Sequence, residues 1–138
     1  MSTQNDTAEC QPKDLSPGIF SWNELMTDDP EASAEFYSGL FGWTAETMDM
    51  GPGKAYTFFK LGDRPAGGMM QLPPEARGMS PSWMAYVTVE DLPAAVARAR
   101  ELGAEICKDI TVIPDMGSLA IISDPQGAML GLWEFAKK

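Results

Sequence analysis

The stretch from Thr27 to Trp43, TDDPEASAEFYSGLFGW, predicts a short helix with a defined beginning and end. Asp29 suits the N-cap position, because its carboxylate can accept hydrogen bonds from the free N–H groups of the first turn. Pro30 follows at the first helical position, where its missing N–H costs nothing. Gly42 suits the C-terminal end, where the chain usually turns into the left-handed conformation.

The helix also has a largely apolar side in the sequence, since Ala32, Phe36 and Leu40 recur every four residues, with Ser33, Tyr37 and Phe41 beside them. A second helix of the same kind, LPAAVARARELG, follows a cap at Asp91 and stops at Gly103. The residues that line one side of this second helix are Ala95, Ala99 and Leu102.

Each helix lies in the same order of elements, with one strand before it and three after it. The strand-like segments are 19–26, 43–48, 56–61 and 66–72 in the first half, and 83–89, 105–113, 118–122 and 129–135 in the second. A shift of 62 positions, which brings residue 29 onto 91, also brings Trp22 onto Met84, Phe59 onto Ile121 and Met69 onto Gly131. Neither half can bury both faces of its sheet alone, so the repeat predicts two paired modules.

The sequence therefore predicts a single α+β domain built from two βαβββ modules. Residues 1–17 are polar and contain proline, which is typical of a flexible tail. Module one covers residues 18–72, a proline-rich linker covers 73–82, and module two covers 83–138.

Composition limits the classes of partner. The chain has 138 residues and a net charge of −10, from 20 acidic and 10 basic side chains. This balance argues against nucleic acid or an anionic membrane as a partner, because both require a basic face. No apolar run is long enough to span a membrane, and the first residues do not form a signal peptide.

The two cysteines, Cys10 and Cys107, show no C-x-x-C spacing, which favours free thiols in a reducing compartment over a disulfide. We therefore expect a cytoplasmic protein, with Cys107 as a small buried apolar residue. The chain contains no histidine.

The ordered set of motifs resembles the vicinal oxygen chelate superfamily, which includes glyoxalase I, extradiol dioxygenases and bleomycin-resistance proteins. The motifs are D-x-x-x-S-x-x-F-Y-x-x-x-F-G-W at 29–43, WMAYVTVEDLxAAV at 83–96, ELGA at 101–104 and SDPxG at 123–127. The resemblance implies paired βαβββ modules whose strands curl into an incomplete barrel around one cavity, with the helices outside. It also makes a homodimer the default expectation.

In the metal-dependent members, the resemblance implies four ligand positions on the first and last strands of each module. These positions fall on Trp22, on Met84, on Met69 or Met70, and on Gly131. An indole donates only, a thioether is soft and glycine has no side chain, so this set does not suit a hard or borderline cation. We therefore expect no metal and no cofactor.

Strand alternation predicts which side chains face the cavity. The predicted ligand-binding residues are Trp22, Glu24, Met26, Met69, Met70, Met84, Tyr86, Thr88, Met129, Gly131 and Trp133. Leu25, Leu130 and Leu132 would then face the helices, as would Trp43 and Trp83. An alternative is that the inward Trp and Met side chains are plain core.

Glu24 has two interpretations, because an inward carboxylate is costly unless it is paired or functional. Pairing with Lys60 or Arg64 is the structural one. The first functional hypothesis is a metal-free protein that binds a small hydrophobic, aromatic or cationic molecule. The second is a metal-independent enzyme, with Glu24 as general acid or base and Tyr86 as a donor to an oxyanion. The third is a metal enzyme whose ligands lie elsewhere.

Overall fold

The computed structural model describes residues 16–51, 54–72 and 80–137. The strands are β1 (Phe20–Thr27), β2 (Thr44–Gly51), β3 (Lys54–Leu61), β4 (Arg64–Gln71), β5 (Ser82–Thr88), β6 (Glu105–Ile113), β7 (Gly117–Ser123) and β8 (Met129–Phe135). The helices are α1 (Pro30–Phe41) and α2 (Leu92–Glu101). Most of the predicted tail, Cys10 and residues 73–79 of the predicted linker lie outside the described residues.

The described residues form two compact units, one within 22–85 and the other from 86 to 137 together with residues 16–21. In the first unit the strands are ordered β2-β3-β4-β1, with β1 parallel to β4. In the second unit the order is β5-β8-β7-β6, with β5 parallel to β8. The predicted α+β fold with two βαβββ repeats is confirmed.

Both ends of α1 lie where the sequence predicts them. The Asp29 carboxylate accepts from the backbone N–H of Ala32 at 3.1 Å, which satisfies one of the free donors of the first turn. Gly42 ends the helix with φ of 76°, and its N–H donates to the Ser38 carbonyl at 2.9 Å. This left-handed conformation favours glycine.

Only part of the apolar side predicted on α1 faces the sheet. Phe36 and Leu40 are 60% and 58% exposed. The helix instead packs through Ala34 and Tyr37, where the small alanine allows a close approach to the sheet. The buried core below this helix consists of Leu25, Phe59 and Met69. Two adjacent stripes are apolar in this sequence, and the four-residue spacing alone cannot choose between them.

Helix α2 is capped as predicted, because the Asp91 carboxylate accepts from the N–H of Ala94 at 3.1 Å. Its core residues are Leu92 and Val96, whereas Leu102, which was predicted to line the same side as Ala95 and Ala99, is 61% exposed. The core of the second unit consists of Leu92, Val96, Ala120, Ile122 and Leu132, with Leu130, Ala95 and Ala99 packed against it. The predicted helix-facing positions of Leu130 and Leu132 are confirmed.

Aromatic rings fill the space between α1 and the strands of the first unit, which we call the first sheet. The Tyr37 ring lies 5.3 Å from the Trp83 ring and 6.0 Å from the Trp43 ring, measured between centroids. The Trp83 indole Nε1–H donates to the Tyr37 hydroxyl at 3.0 Å. The prediction that Trp43 and Trp83 pack on the helix side is therefore confirmed.

The strand register corrects the repeat offset. Glu24 pairs with Gly68 in the first unit, and Tyr86 pairs with Gly131 in the second. Residues 24 and 86 are 62 positions apart, but 68 and 131 are 63 apart, so the last strands are shifted by one. The counterpart of Gly131 is therefore Gly68, and the match with Met69 was wrong. A shift of one residue exchanges the two faces of a strand.

Candidate functional site

The candidate site lies on the face of the first sheet that points away from α1, which we call the helix-free face. Leu25, Phe59 and Met69 point toward the helix, so the residues that alternate with them point the other way. The helix-free face consists of Trp22, Glu24 and Met26 on β1, Tyr56 and Phe58 on β3, and Gly68 and Met70 on β4.

A hydrogen-bonded chain of three side chains lies on this face. The indole Nε1–H of Trp22 donates to the Tyr56 hydroxyl oxygen at 2.9 Å. Burial, and next the charge of Glu24, hold the pKa of the Tyr56 hydroxyl well above its ordinary value. Tyr56 is therefore protonated, and its O–H donates to the Glu24 carboxylate.

The carboxylate of this chain is deeply buried. Glu24 is 1% exposed and Tyr56 is 5% exposed. Burying a carboxylate is costly unless hydrogen bonds offset the lost hydration. The Tyr56 hydroxyl supplies such a bond, and the Trp22 indole fixes the orientation of that hydroxyl. Trp22 and Phe58 are only partly buried, and their rings meet edge to face with centroids 6.4 Å apart.

The chain depends on a glycine in the neighbouring strand. A Cβ at Gly68 would overlap the Tyr56 hydroxyl and would lie 2.6 Å from the ring atom Cζ of Tyr56. It would also lie 3.0 Å from Nε1 of Trp22. Because these contacts are too short for a Cβ atom, only glycine at position 68 leaves room for the Trp22 indole N–H and the Tyr56 hydroxyl to meet above β4.

The structural alternative for Glu24, an ion pair with Lys60, is not what the structure shows. The Lys60 ammonium pairs with Glu46 at 2.8 Å at the exposed edge of the sheet. Arg64 is exposed and forms no ion pair among the described residues. One partner that the structure gives Glu24 is the neutral hydroxyl of Tyr56.

The predicted methionines divide between faces and degrees of burial. Met69 packs with Leu25 and Phe59 on the helix side, so its predicted place beside Glu24 was wrong. Met26 and Met84 are buried, at 4% and 5% exposed. Met70 is partly buried and pairs in register with Met26, on the helix-free face.

In the second unit, the predicted residues lie on β5 and β8. Tyr86 is 1% exposed, and its ring lies over Gly131, where a Cβ would be 2.7 Å from the Tyr86 atom Cγ. Trp133 lies over Gly117 in the same way, with Cζ2 at 2.7 Å from the corresponding Cβ position. Each unit thus has a tyrosine set over a strand glycine.

The two remaining predicted residues of this unit differ in exposure. Thr88 is 4% exposed, and its hydroxyl meets no hydrogen-bonding partner among the described residues. Met129 is 37% exposed, at the beginning of β8.

Sequence reasoning missed Tyr56 and Gly68. Tyr56 lies in the predicted strand 56–61 but was not among the predicted site residues, and the predicted strand 66–72 contains two glycines, Gly67 and Gly68. A glycine inside a strand often marks the close approach of another group. The signal in the sequence was therefore Gly68, which the structure shows beneath the Tyr56 hydroxyl.

The donors needed for a metal site are not grouped on the described residues. Within residues 16–51, 54–72 and 80–137, no three His, Cys, Asp or Glu side chains are placed to hold an ion. Cys107, which was expected to be buried, is exposed on β6, where its neighbour Ile106 takes the inward position.

Comparison with known proteins identifies the family. The sequence pattern that defines the Glyoxalase/Bleomycin resistance protein/Dioxygenase superfamily matches residues 19–132. This chain belongs to that superfamily. In the part of it that the structure describes, neither helix is long and apolar enough to cross a membrane.

Two relatives show the range of this superfamily. CFP32 of Mycobacterium bovis, a protein that carries a glyoxylase name, is 36% identical over 115 residues, which are 83% of this chain and 43% of that protein. The anthracycline biosynthesis protein DnrV of Streptomyces peucetius is 32% identical over 131 residues, covering 86% of this chain and 48% of DnrV. This chain therefore spans about half the length of each relative.

A solved structure confirms the superfamily fold. Methylmalonyl-CoA epimerase from Mycobacterium tuberculosis matches with a TM-score of 0.61 and 15% identity, over 94% of this chain and 96% of the epimerase. The ligand positions that the resemblance implies fall on Trp22, on Met84, on Met69 or Met70, and on Gly131, and the strand register matches Gly68 to Gly131. These residues do not fit a divalent ion, because they offer neither imidazole nor carboxylate.

Proposed function

We propose that this chain binds a small planar aromatic molecule and does so without a metal. The observation that carries this proposal is the Trp22–Tyr56–Glu24 hydrogen-bonded chain over Gly68. It provides a fixed polar group beside partly exposed aromatic rings, in a module where one of the implied ligand positions falls on Trp22. Binding sites for small molecules commonly combine an apolar lining with a few fixed polar groups.

The ligand class is supported by two further points. Trp22 and Phe58 offer flat surfaces, and Met70 is an adaptable neighbour on the same face. A relative named for anthracycline biosynthesis covers 86% of this chain, and anthracyclines are planar polycyclic molecules. We therefore expect an anthracycline to be a useful probe of this face.

The test is a titration with doxorubicin, whose own fluorescence reports binding. We expect saturable one-to-one binding, and a loss of affinity of about tenfold or more in Trp22→Leu, which removes a stacking surface. Trp83→Leu is the matched control, because Trp83 packs on the helix side of the same unit. If doxorubicin and a panel of other planar aromatics all fail to bind, the proposal is wrong.

Metal independence needs its own measurement. Tag-free protein would be analysed for Zn, Ni, Mn and Fe, and its melting temperature would be measured with each divalent ion added. We expect no stoichiometric metal and no metal-dependent rise in melting temperature, since binding to the folded state alone would raise it. A stoichiometric metal would overturn this part of the proposal and favour the metal-enzyme hypothesis.

A second candidate is a metal-independent enzyme. The observation that favours it is the burial of Glu24 beside the protonated Tyr56, because a desolvated carboxylate can act as a general acid or base. Tyr86 stays a proposed oxyanion donor for this candidate. Once a substrate is identified, Glu24→Gln should reduce turnover by about a hundredfold or more. Unchanged turnover would remove this candidate.

The cellular setting is part of the same proposal. We propose a cytoplasmic homodimer that binds neither nucleic acid nor membrane. The net charge of −10 supports the last two points, because nucleic acid and anionic membranes attract basic surfaces. Light scattering after size-exclusion chromatography would measure the mass of the assembly. A monomer at micromolar concentration would contradict the proposed dimer.

A further inference from the structure

We propose that the second unit has a binding site of its own, which takes a planar aromatic molecule that carries a carboxylate. We call the strands of this unit, ordered β5-β8-β7-β6, the second sheet. The site lies on the face of this sheet that points away from α2, and its charged group is Lys108 on β6. This inference does not rest on the proposed function above, because it uses residues of the second unit alone.

An irregularity in β6 brings Lys108 to this face. Ile106 packs with the core beneath α2, so simple alternation along β6 would place Lys108 on the helix side as well. The register is interrupted between these two residues, however, and Lys108 pairs with Ile121 of β7. Ile121 points away from α2, because its neighbour Ile122 packs against that helix. The extra residue, Cys107, therefore turns the lysine to the opposite face, and bulges often re-aim a side chain beside a functional site.

Lys108 is a cation without a counter-charge in this sheet. It is partly buried, whereas Cys107 and Asp109 on either side of it are exposed. It forms no ion pair with any residue that the structure describes, and it is the one basic residue in strands β5 to β8. A carboxylate at Lys108 would gain a charge-assisted hydrogen bond in a place that is less exposed to water than the open surface.

Aromatic rings with exposed surface share this face. Thr111 pairs with Leu119, and Leu119 pairs with Trp133, so these three residues form the next row across the sheet. The Trp133 ring lies over the first residue of β7 and is partly exposed. The Phe135 ring meets it edge to face, with centroids 5.8 Å apart, and Phe135 is 39% exposed. A flat molecule can pack against these rings while its charged end is directed to Lys108.

The spacing and the donors define the class of ligand. Strands β6 and β8 are separated by β7, so their backbones lie about 10 Å apart, a length that two fused rings with a carboxylate can cover. The Thr111 hydroxyl already donates to the Asp109 carbonyl at 3.0 Å, so it is not a second donor for an anion. Lys108 alone supplies a single compact charge, which matches a carboxylate rather than a phosphate that carries more than one charge.

The experiment compares two probes of one shape. Naphthoate carries a carboxylate, and naphthamide has the same rings and a neutral amide in its place. By isothermal titration calorimetry, we expect the wild-type protein to bind naphthoate about tenfold or more tightly than naphthamide. The net charge of −10 repels anions, so such a preference requires a local cation. Lys108→Met should reduce the ratio to within about twofold of unity, and Lys108→Arg should largely keep it.

The matched control is Lys137→Met. Lys137 lies beyond β8 and is exposed, and this variant changes the net charge by the same amount as Lys108→Met. Screening by water should leave the ratio of the two affinities within about twofold of wild type. Trp133→Leu should weaken both probes by similar factors, because both use the ring surface. Circular dichroism would show that each variant is folded.

The outcomes separate this inference from the proposed function. Equal affinities for the two probes in the wild-type protein, or no binding of either probe, would overturn it. If Trp22→Leu abolishes naphthoate binding and Trp133→Leu does not, the probe occupies the first sheet, so this inference fails while the proposed function stands. Failure of the doxorubicin titration would overturn the proposed function alone.

The role of Lys108 has its own contrary results. If Lys137→Met lowers the ratio as much as Lys108→Met, the preference comes from overall charge and the role of Lys108 is refuted. Strand β6 lies at the end of the strand order, and charged residues often protect such an edge from pairing with other chains. If Lys108→Met keeps the ratio and instead self-associates in light scattering, Lys108 protects the edge and is not a ligand group. The wild-type ratio and Lys108→Arg decide the matter even if Lys108→Met fails to fold.

Discussion

Replacing Gly68 by alanine should destabilise the first unit sharply. The new Cβ would overlap the Tyr56 hydroxyl, lie 2.6 Å from Cζ of Tyr56 and 3.0 Å from Nε1 of Trp22. Overpacking of this kind costs about 1–3 kcal/mol. If Tyr56 moves away, its hydrogen bond to the Glu24 carboxylate is lost as well, at a cost of about 1.5–3 kcal/mol. The two costs together give an expected loss of about 2.5–6 kcal/mol, which at about 3 °C per kcal/mol for a chain of this size corresponds to about 8–18 °C in melting temperature.

The assay is urea denaturation followed by circular dichroism, with the variant Gly39→Ala as control. Gly39 lies within α1, where a Cβ would meet no atom within 4 Å, so alanine there should add about 0.5–1 kcal/mol of stability. The same substitution should thus have opposite signs at the two sites. Adding Tyr56→Phe to Gly68→Ala removes the overlapping oxygen, so the double variant should cost at least about 0.5 kcal/mol less than the sum of the single ones. A Gly68→Ala variant within about 0.5 kcal/mol of wild type would refute the reasoning.

Three further predictions concern the same groups and one helix end. The folded state holds the pKa of Tyr56 above its ordinary value of 10.0, so the stability that this group contributes is complete below that pH and is lost as the pH rises above it. Tyr56→Phe should therefore lose less stability than wild type between about pH 9 and about pH 11 in urea titrations. Gly131→Ala should cost about 1–3 kcal/mol in the same assay, because its Cβ would overlap the Tyr86 ring, and a neutral result would contradict that packing. Glu134→Ala should cost about 0.5–2 kcal/mol, since the Glu134 carboxylate accepts from the N–H of Leu92 at 2.7 Å at the beginning of α2, and Glu134→Gln should recover part of it.

The parts of the fold that sequence predicts well depend on local chemistry. The caps at Asp29 and Asp91 and the stop at Gly42 involve residues within four positions of each other, and all three are present as predicted. The repeat was visible because two such local patterns occur in the same order. Membership of the superfamily follows from the same ordered set.

The parts that sequence predicts poorly depend on neighbouring strands. The offset between the modules is not constant, and the pairing of β6 with β7 contains irregularities near Lys108 that a fixed shift cannot anticipate. The difference of one residue between the two offsets is the reason why the sequence prediction placed Met69 on the wrong face. The choice between two apolar stripes of α1 likewise depended on Ala34 and Tyr37 fitting the sheet, which composition does not reveal.

The sequence predicted two members of the hydrogen-bonded chain, Trp22 and Glu24, but not the third, Tyr56. An inward carboxylate at Glu24 beside an inward Trp22 follows from strand alternation, and the structure places both on the helix-free face. The partner of Glu24 did not follow, because Tyr56 lies on β3 and reaches across β4 to meet it. To predict this contact, one must know both the order of the strands and the space above Gly68, and no single segment of the sequence reveals either.

The glycines beneath the two tyrosines also limit how this protein can change. A side chain able to ligate a metal at position 68 would collide with Tyr56, and one at position 131 would collide with Tyr86. Placing a ligand at either position therefore requires replacing the tyrosine first or at the same time, because the single substitution at the glycine is expected to be unstable.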